Sequence, residues 1–378
     1  MKRKQNIRWN TMKILVIGFL SVIVLGAVLL WLPVSNEKPI SFLDALFTST
    51  TSVCVTGLVT VVPKYQFTIM GKIILLILIQ IGGLGIIACI TAFFMLLKRK
   101  ITVKERIVIQ EAYNMNSLGG LVGMVRRILF GTVVVEGIGA VFYAIQFSRD
   151  YGLVKGIWYG VFHSVSAFCN AGFDIIGDGK SMLSYRHDPL VLCTLAILVA
   201  IGGLGFIVWE DIIAKKSWKK LNVYSKVIIL AQIFFIVVGT FVYFILEYGN
   251  INTIGAESVG QKILASFFQS VTTRTAGFDA LIQNNLTDLS KAWGTVLMMI
   301  GGASGSTAGG VKLGTAVLVI MTLISVLRGK SDVVIHGRRV AHTTILQAMA
   351  LLVLWLVLVV GGSVLISYID NQDLINSI

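Results

Sequence analysis

Charge is what this sequence has least of. Asp, Glu, Lys and Arg make up 13% of its 378 residues, while 56% are hydrophobic, and a water-soluble surface cannot be assembled from that ratio. The chain is expected in a membrane. Cysteine is nearly as scarce. Cys54, Cys89, Cys169 and Cys193 form no CxxC pair and fall in loops or apolar segments, which reads as reduced packing residues and excludes a disulfide framework or a zinc site. Also missing are GxxxxGKS/T, HExxH and GxSxG, so no ATPase or common hydrolase constellation is present and no catalytic residue is assigned. The one glycine-rich run that invites comparison with a phosphate loop, GASGSTAGGVK from Gly302, has the wrong spacing and lies inside an apolar segment.

What is there is long apolar runs. Stretches of roughly 20 residues, enough to cross a bilayer, can be read at 13–32, 67–97, 125–147, 189–213, 223–246, 293–327 and 343–369. The first is too long for a signal h-region and has no small-residue cleavage site, so it is expected to be retained. The net charge of +14 could suggest nucleic acid, but its placement does not. With these spans drawn, 21 Lys and Arg fall on one side, at 2–13, 98–106, 126–127, 215–226 and 328–339, against 9 on the other. That asymmetry predicts a multi-pass protein of the plasma membrane with a cytoplasmic N-terminus and basic cytoplasmic loops, whose other natural contact is anionic lipid.

Between the spans one stretch is written three times: TSVCVTGL at 51–58, SAFCNAGF at 166–173 and VTTRTAGF at 271–278. Each follows a short amphipathic segment, at 41–49, 158–165 and 259–270, and each precedes a second glycine signature, IGGLG at Ile81, IGGLG at Ile201 and IGGASG at Ile300. Ser41 with Asp44 three residues on resembles a capping box. A recurring helix, half-helix, loop and returning helix is a structural repeat. The chain divides accordingly into 1–98, 99–214, 215–330 and the first helix of a fourth unit at 331–378. A half-helix that stops part way across must be followed by backbone that is buried in protein or faces water. Its partially negative C-terminal end favours a cation, and loop carbonyls can replace a cation's hydration shell. Glycine is required where φ turns positive so that carbonyls face one axis. The candidate filter is therefore Val55, Thr56 and Gly57, with Asn170, Ala171 and Gly172, and with Thr275, Ala276 and Gly277. For the IGGLG glycines close helix packing is the favoured reading.

Three groups of charges need placing. Arg274 would repel a cation if it faced the pore, so it is expected behind the loop as a scaffold. Asp174 and Asp279 follow their loops and either concentrate cations at the mouth or serve as ordinary loop carboxylates. His163 is expected to be structural, with His336 and His342 at the membrane border. The third return segment carries Gly301, Gly302, Ala303, Ser304, Gly305, Ser306, Thr307, Ala308, Gly309 and Gly310 in succession. Glycine costs about 1 kcal/mol relative to alanine inside a helix, so an unwound stretch is expected there. Lys312 follows it, an intramembrane charge and hence a functional candidate, either anchoring this loop or barring ion flow, with Glu136 as candidate partner.

The three loops, IGGLG, TRTAGF and the broken third return segment resemble the Trk/Ktr/HKT superfamily of K⁺ transporters over essentially the whole chain, and the short N-terminus resembles its Ktr type. The resemblance implies an all-α polytopic fold of helix–pore loop–helix units around one pore and K⁺ uptake through a carbonyl filter. It makes residues 301–310 an intramembrane gate. It also implies K⁺ as the transported ion, Na⁺ as a candidate activator, a homodimer, and a KtrA-like cytoplasmic ring that binds ATP or ADP, leaving no cofactor or nucleotide site in this chain and no nucleic-acid partner. The filter glycines are spaced by 115 and 105 residues, so the fourth is expected beyond Ile378. Two other readings remain open: a broken-helix secondary transporter for another solute, and a non-conducting membrane assembly subunit.

Overall fold

Backbone that crosses lipid has to satisfy its own hydrogen bonds, and the apolar stretches of this chain do so as helices. The computed structural model describes residues 2–97, 102–112, 119–177, 179–330, 332–335 and 337–370. A first round consists of α1 (Lys2–Trp31), the short α2 (Phe42–Val53), a single turn α3 (Pro63–Gln66), and α4 (Ile69–Leu84) followed by α5 (Ile86–Leu96). After α6 (Val103–Ala112) a second round follows, α7 (Leu121–Tyr151), α8 (Leu153–Phe168), α9 (Pro189–Gly203) and α10 (Phe206–Lys215). The third comprises α11 (Val223–Glu247), α12 (Val259–Thr272), α13 (Asp288–Met299) and α14 (Leu313–Leu327). A small antiparallel hairpin, β1 (Val334–Ile335) with β2 (Arg338–Arg339), precedes α15 (His342–Asp370). The fold is all-α. Of the charges placed from sequence, Lys98, Arg99, Lys100 and His336 lie outside the described residues.

Large apolar side chains fill the interior and also cover the outside. Phe130, Phe241 and Leu358 are among many large apolar side chains turned outward, while Thr48, Ser52, Ser164, Ser166, Ser270 and Thr272 of the short helices are buried. Among the described residues, four helices are long and apolar enough to cross a membrane alone: Lys13–Trp31, α7, α11 and His342–Ile369. The first two returning segments, each expected as one span, are bent. α4 and α5 meet at 105°, α9 and α10 at 91°, so the number of spans rises to six when each bent pair is taken as one. The cause is the last glycine of each IGGLG. Gly85 has φ +81° and Gly205 φ +86°, a conformation that costs glycine little and other residues much. The packing reading holds for the first glycine of each motif. A β-carbon on Gly82 would fall on the Val53 carbonyl, and one on Gly202 on the Phe168 carbonyl, each at the end of a short helix. The third return is interrupted outright between α13 and α14, and α14 at 15 residues is too short to span.

One three-residue contact ties each round together. Ser49 of α2 donates to the Ile23 carbonyl (2.7 Å), Ser164 of α8 to the Glu136 carbonyl (2.6 Å) and Ser270 of α12 to the Ile236 carbonyl (2.9 Å). Three residues beyond each acceptor stands a glycine, Gly26, Gly139 or Gly239, where a β-carbon would collide with that serine hydroxyl and with Leu78, Leu198 or Leu297 of the returning helix. The outgoing helix thus lacks a side chain exactly where the short helix and the returning helix press on it, and the serine satisfies its hydroxyl in a place without water.

Candidate ion filter and gate

Two of the three short helices, α2 and α12, are set at their outer ends by side-chain caps, while α8 starts after Gly152 without one. Ser41 accepts the Asp44 amide (3.1 Å), while its hydroxyl donates to the Asp44 carboxylate (2.7 Å). The reciprocal capping box stands instead at Ser258 and Gln261, opening α12. At their inner ends the helices run into the three repeated loops, where the backbone alternates in hand. Val55 and Gly57 have φ +55° and +84°, Asn170 and Gly172 +58° and +69°, Thr275 and Gly277 +66° and +76°. In extended strand successive carbonyls point to opposite sides, whereas left-handed residues two apart turn the peptides between them to one side. The sequence indicated a positive φ at the glycines but not at Val55, Asn170 and Thr275 two positions earlier. A β-branched Val or Thr at positive φ is an outlier, and such strain, on the order of 1–3 kcal/mol per residue, persists only where the surroundings impose it.

Those surroundings are identifiable. The amides of Thr56 and Ala171 donate to the carbonyls of Thr51 and Ser166 (2.8 Å each), and that of Ala276 to Thr272 (3.0 Å). Ser166 Oγ donates to the Phe173 carbonyl (2.8 Å), and Thr272 Oγ1 both donates to the Phe278 carbonyl (2.5 Å) and accepts its amide (3.1 Å). His163 is fully buried in α8, with Nδ1 2.7 Å from the Tyr159 carbonyl and Nε2 accepting the Ile175 amide (3.4 Å); its role is structural, as expected. The loops also converge. A β-carbon on Gly57 would lie 2.5 Å from the Ala171 carbonyl oxygen, one on Gly172 2.9 Å from the Gly277 oxygen, and one on Gly277 3.2 Å from Gly172 Cα and 3.7 Å from the Thr56 oxygen. The nine sequence-selected residues therefore gather at one place.

A cavity of about 380 Å³ opens there, lined by Val55, Thr56, Thr275, Gly277, Asp279 and Gln283 among others. Cys54 also lines it and is exposed, so it is not the packing residue expected; Cys89, Cys169 and Cys193 are half-buried or buried, and all four thiols are free. The two loop carboxylates part company. Asp174 Oδ1 accepts the Ile176 and Gly177 amides, which makes it a turn-former. Asp279 lines the cavity and accepts from Gln283 Nε2 (2.8 Å); burial pushes its carboxyl above the usual range, and the Gln283 hydrogen bond opposes this only in part.

Beneath the loops, residues 300–312 form an unwound segment closed by a bridge between Ile300 and Val311. Several of its partners come from the second round. Ala303 N donates to the Gly203 carbonyl (2.9 Å), Thr307 N to Gly202 (3.3 Å), Thr307 Oγ1 to Phe168 (2.9 Å), and Phe206 N to Gly305 (2.8 Å). The second IGGLG break is thus a docking edge for this loop, a role invisible without the fold. Arg274, buried behind its own loop, donates to the Gly301 carbonyl (3.2 Å), with its guanidinium 5.9 Å from the Phe235 ring centre. Lys312 stands just before α14 and donates to the Ala308 carbonyl (2.7 Å). The Glu136 partnership is not formed: that carboxylate accepts from Gln80 Nε2 (3.3 Å).

Comparison with known proteins decides the family. The family model described as "TrkH: Cation transport protein" matches residues 2–376. The chain belongs to the TrkH family. It is therefore a membrane cation-transport protein rather than an enzyme. Among curated relatives, the Ktr system potassium uptake protein B of Bacillus subtilis is 37% identical over 356 residues, covering 94% of this chain and 80% of that one. The potassium/sodium uptake protein NtpJ of Enterococcus hirae is 36% identical over 373 residues, with 98% and 82% covered. The crystal structure of the potassium transporter TrkH from Vibrio parahaemolyticus superposes with a TM-score of 0.71 at 19% identity, over 93% of this chain and 72% of that one. At that identity the likeness speaks for the TrkH fold alone.

Proposed function

We propose that this chain takes up K⁺ through a filter built from the carbonyls of residues 55–57, 170–172 and 275–277, with residues 301–310 as the gate beneath it. The observation that carries the reading is the recurrence of left-handed backbone at two positions, two residues apart, in three loops that meet. A filter has to present several carbonyls to one ion, and the C-terminal ends of α2, α8 and α12 add partial negative charge at the same point. Arg274 and Lys312 bond carbonyls of the gate segment, which suits anchoring rather than contact with the ion. The K⁺-uptake relatives support K⁺ as the ion, and the NtpJ relative, whose name carries both ions, makes Na⁺ a candidate second ion or activator. A plasma-membrane location with the N-terminus in the cytoplasm, a homodimer and a KtrA-like ring binding ATP or ADP complete the proposal.

The test is K⁺ uptake in a host lacking its own K⁺ systems, producing the full-length protein with or without residues 303–308. Uptake by the parent and faster, less regulated uptake by the well-folded deletion are expected. A parent that supports no K⁺ uptake with its regulatory partner present contradicts the function; unchanged or lower flux in the deletion contradicts the gate.

A further inference from the structure

The turn between α10 and α11 carries the sequence KKSWKK at 215–220. Beyond Lys215, which pairs with Asp211, its charge meets no carboxylate inside the fold among the described residues. Among the described residues, the two carboxylates beside it are already paired: Glu210 in a fork with Arg127, and Asp211 with Lys215 (2.8 Å) and with the backbone amide (2.8 Å) and side chain (3.1 Å) of Asn222. Lys216, Lys219 and Lys220 are exposed and, among the described residues, form no ion pair with a carboxylate, and Trp218 between them is 47% exposed. The turn is also held in shape. Asp211 clamps the start of α11 to α10, and Lys226 Nζ donates back to the Lys219 carbonyl (3.0 Å). Because the turn joins the end of a bent span to the start of the next, it lies at the membrane boundary. An indole there sits at headgroup depth, and lysines beside it are attracted to anionic headgroups.

We infer that Lys216, Trp218, Lys219 and Lys220 form a binding site for anionic phospholipid headgroups. A topological signal needs only the charge. It needs neither an outward tryptophan among the lysines nor a rigid turn that holds them together. The site is also one short helix from the proposed gate: the amide of Phe206, first residue of α10, donates to Gly305 (2.8 Å), and α10 ends at Lys215, where the basic turn starts. Headgroup occupancy therefore bears on the position of residues 301–310, a consequence that rests on the gate reading; the binding site does not.

The experiment is native mass spectrometry of the purified full-length protein titrated with phosphatidylglycerol and, separately, phosphatidylcholine, for the parent and for K216Q/K219Q/K220Q. The site predicts a preference for phosphatidylglycerol that falls at least about fivefold in the triple variant, taking the contribution of one lysine at an anionic surface as the lower bound. The arginine version, K216R/K219R/K220R, keeps the preference and controls for folding, and W218A weakens binding of both lipids. An equal preference in parent and glutamine variant overturns the site. So does a glutamine variant that keeps its lipid preference while losing a soluble protein partner, because the surface then docks protein. Flux is read in parallel vesicles of each lipid. Loss of lipid binding without any change in flux leaves the headgroup site standing and removes its link to the gate.

Discussion

At the scale of single residues, the molecule is governed by where a side chain is forbidden. Gly202 and Gly203 are neighbours in one motif with opposite constraints. A β-carbon on Gly202 would fall on the Phe168 carbonyl and 2.7 Å from Thr307 Oγ1, whereas one on Gly203 would find its nearest atoms at 3.9 Å. Backbone cannot rotate away as a side-chain tip can, so Gly202→Ala should cost about 1–3 kcal/mol, the range for overpacking a tight site. Gly203→Ala should be tolerated. Thermal unfolding of the two variants in one detergent checks this, and equal loss in both would refute the packing argument. Asp279 gives a pH dependence whose sign is set by its burial. Its carboxyl lies above the usual range in the fold, so on acidification it protonates earlier than an exposed aspartate would. Cation capture at the cavity should then fall as pH drops through that raised range, and Asp279→Asn should flatten this limb of the flux profile. Stability runs the other way. A raised carboxyl favours the fold in its protonated form, and that contribution disappears as pH rises through the folded-state value.

At the scale of elements, the short helices and their loops were legible because the sequence repeats them, and repetition with a glycine at a fixed place is visible without a fold. The bends at Gly85 and Gly205 were not. Apolar residues continue on both sides of each, and hydropathy does not register a change of direction. The positive φ of Val55 and Thr275 was hidden for a related reason: nothing in a β-branched residue announces a left-handed backbone that the packing around it imposes. The serine–glycine–leucine contacts escaped because each joins three helices separated in sequence. Arg274 was legible in its placement but not in its partner, and Glu136 was assigned to Lys312 when Gln80 holds it instead. The two bends also differ in what surrounds them. Gly205 has φ +86°, and a β-carbon there would approach the Ser304 carbonyl to 2.9 Å, while Gly85, φ +81°, has no such neighbour within 4 Å. Both alanine variants carry backbone strain. Only Gly205→Ala should also displace residues 301–310 and, if these are the proposed gate, raise unstimulated ion leak in vesicles; a matching leak in Gly85→Ala would detach the effect from docking.

At the scale of the whole molecule, three rounds of one helical grammar bring three loops to a single point, and the TrkH family places that point in a cation transporter. The proposed role of these loops is to act as one K⁺ filter. The direct measurement is the K⁺/Na⁺ permeability ratio, from reversal potentials of the full-length protein, for Gly57→Ser, Gly172→Ser and Gly277→Ser beside the parent. Each serine adds a β-carbon against a neighbouring loop at positive φ, so each variant should lose selectivity for K⁺, by about tenfold for every 1.4 kcal/mol of discrimination removed. A ratio unchanged in all three folded, conducting variants would contradict the filter.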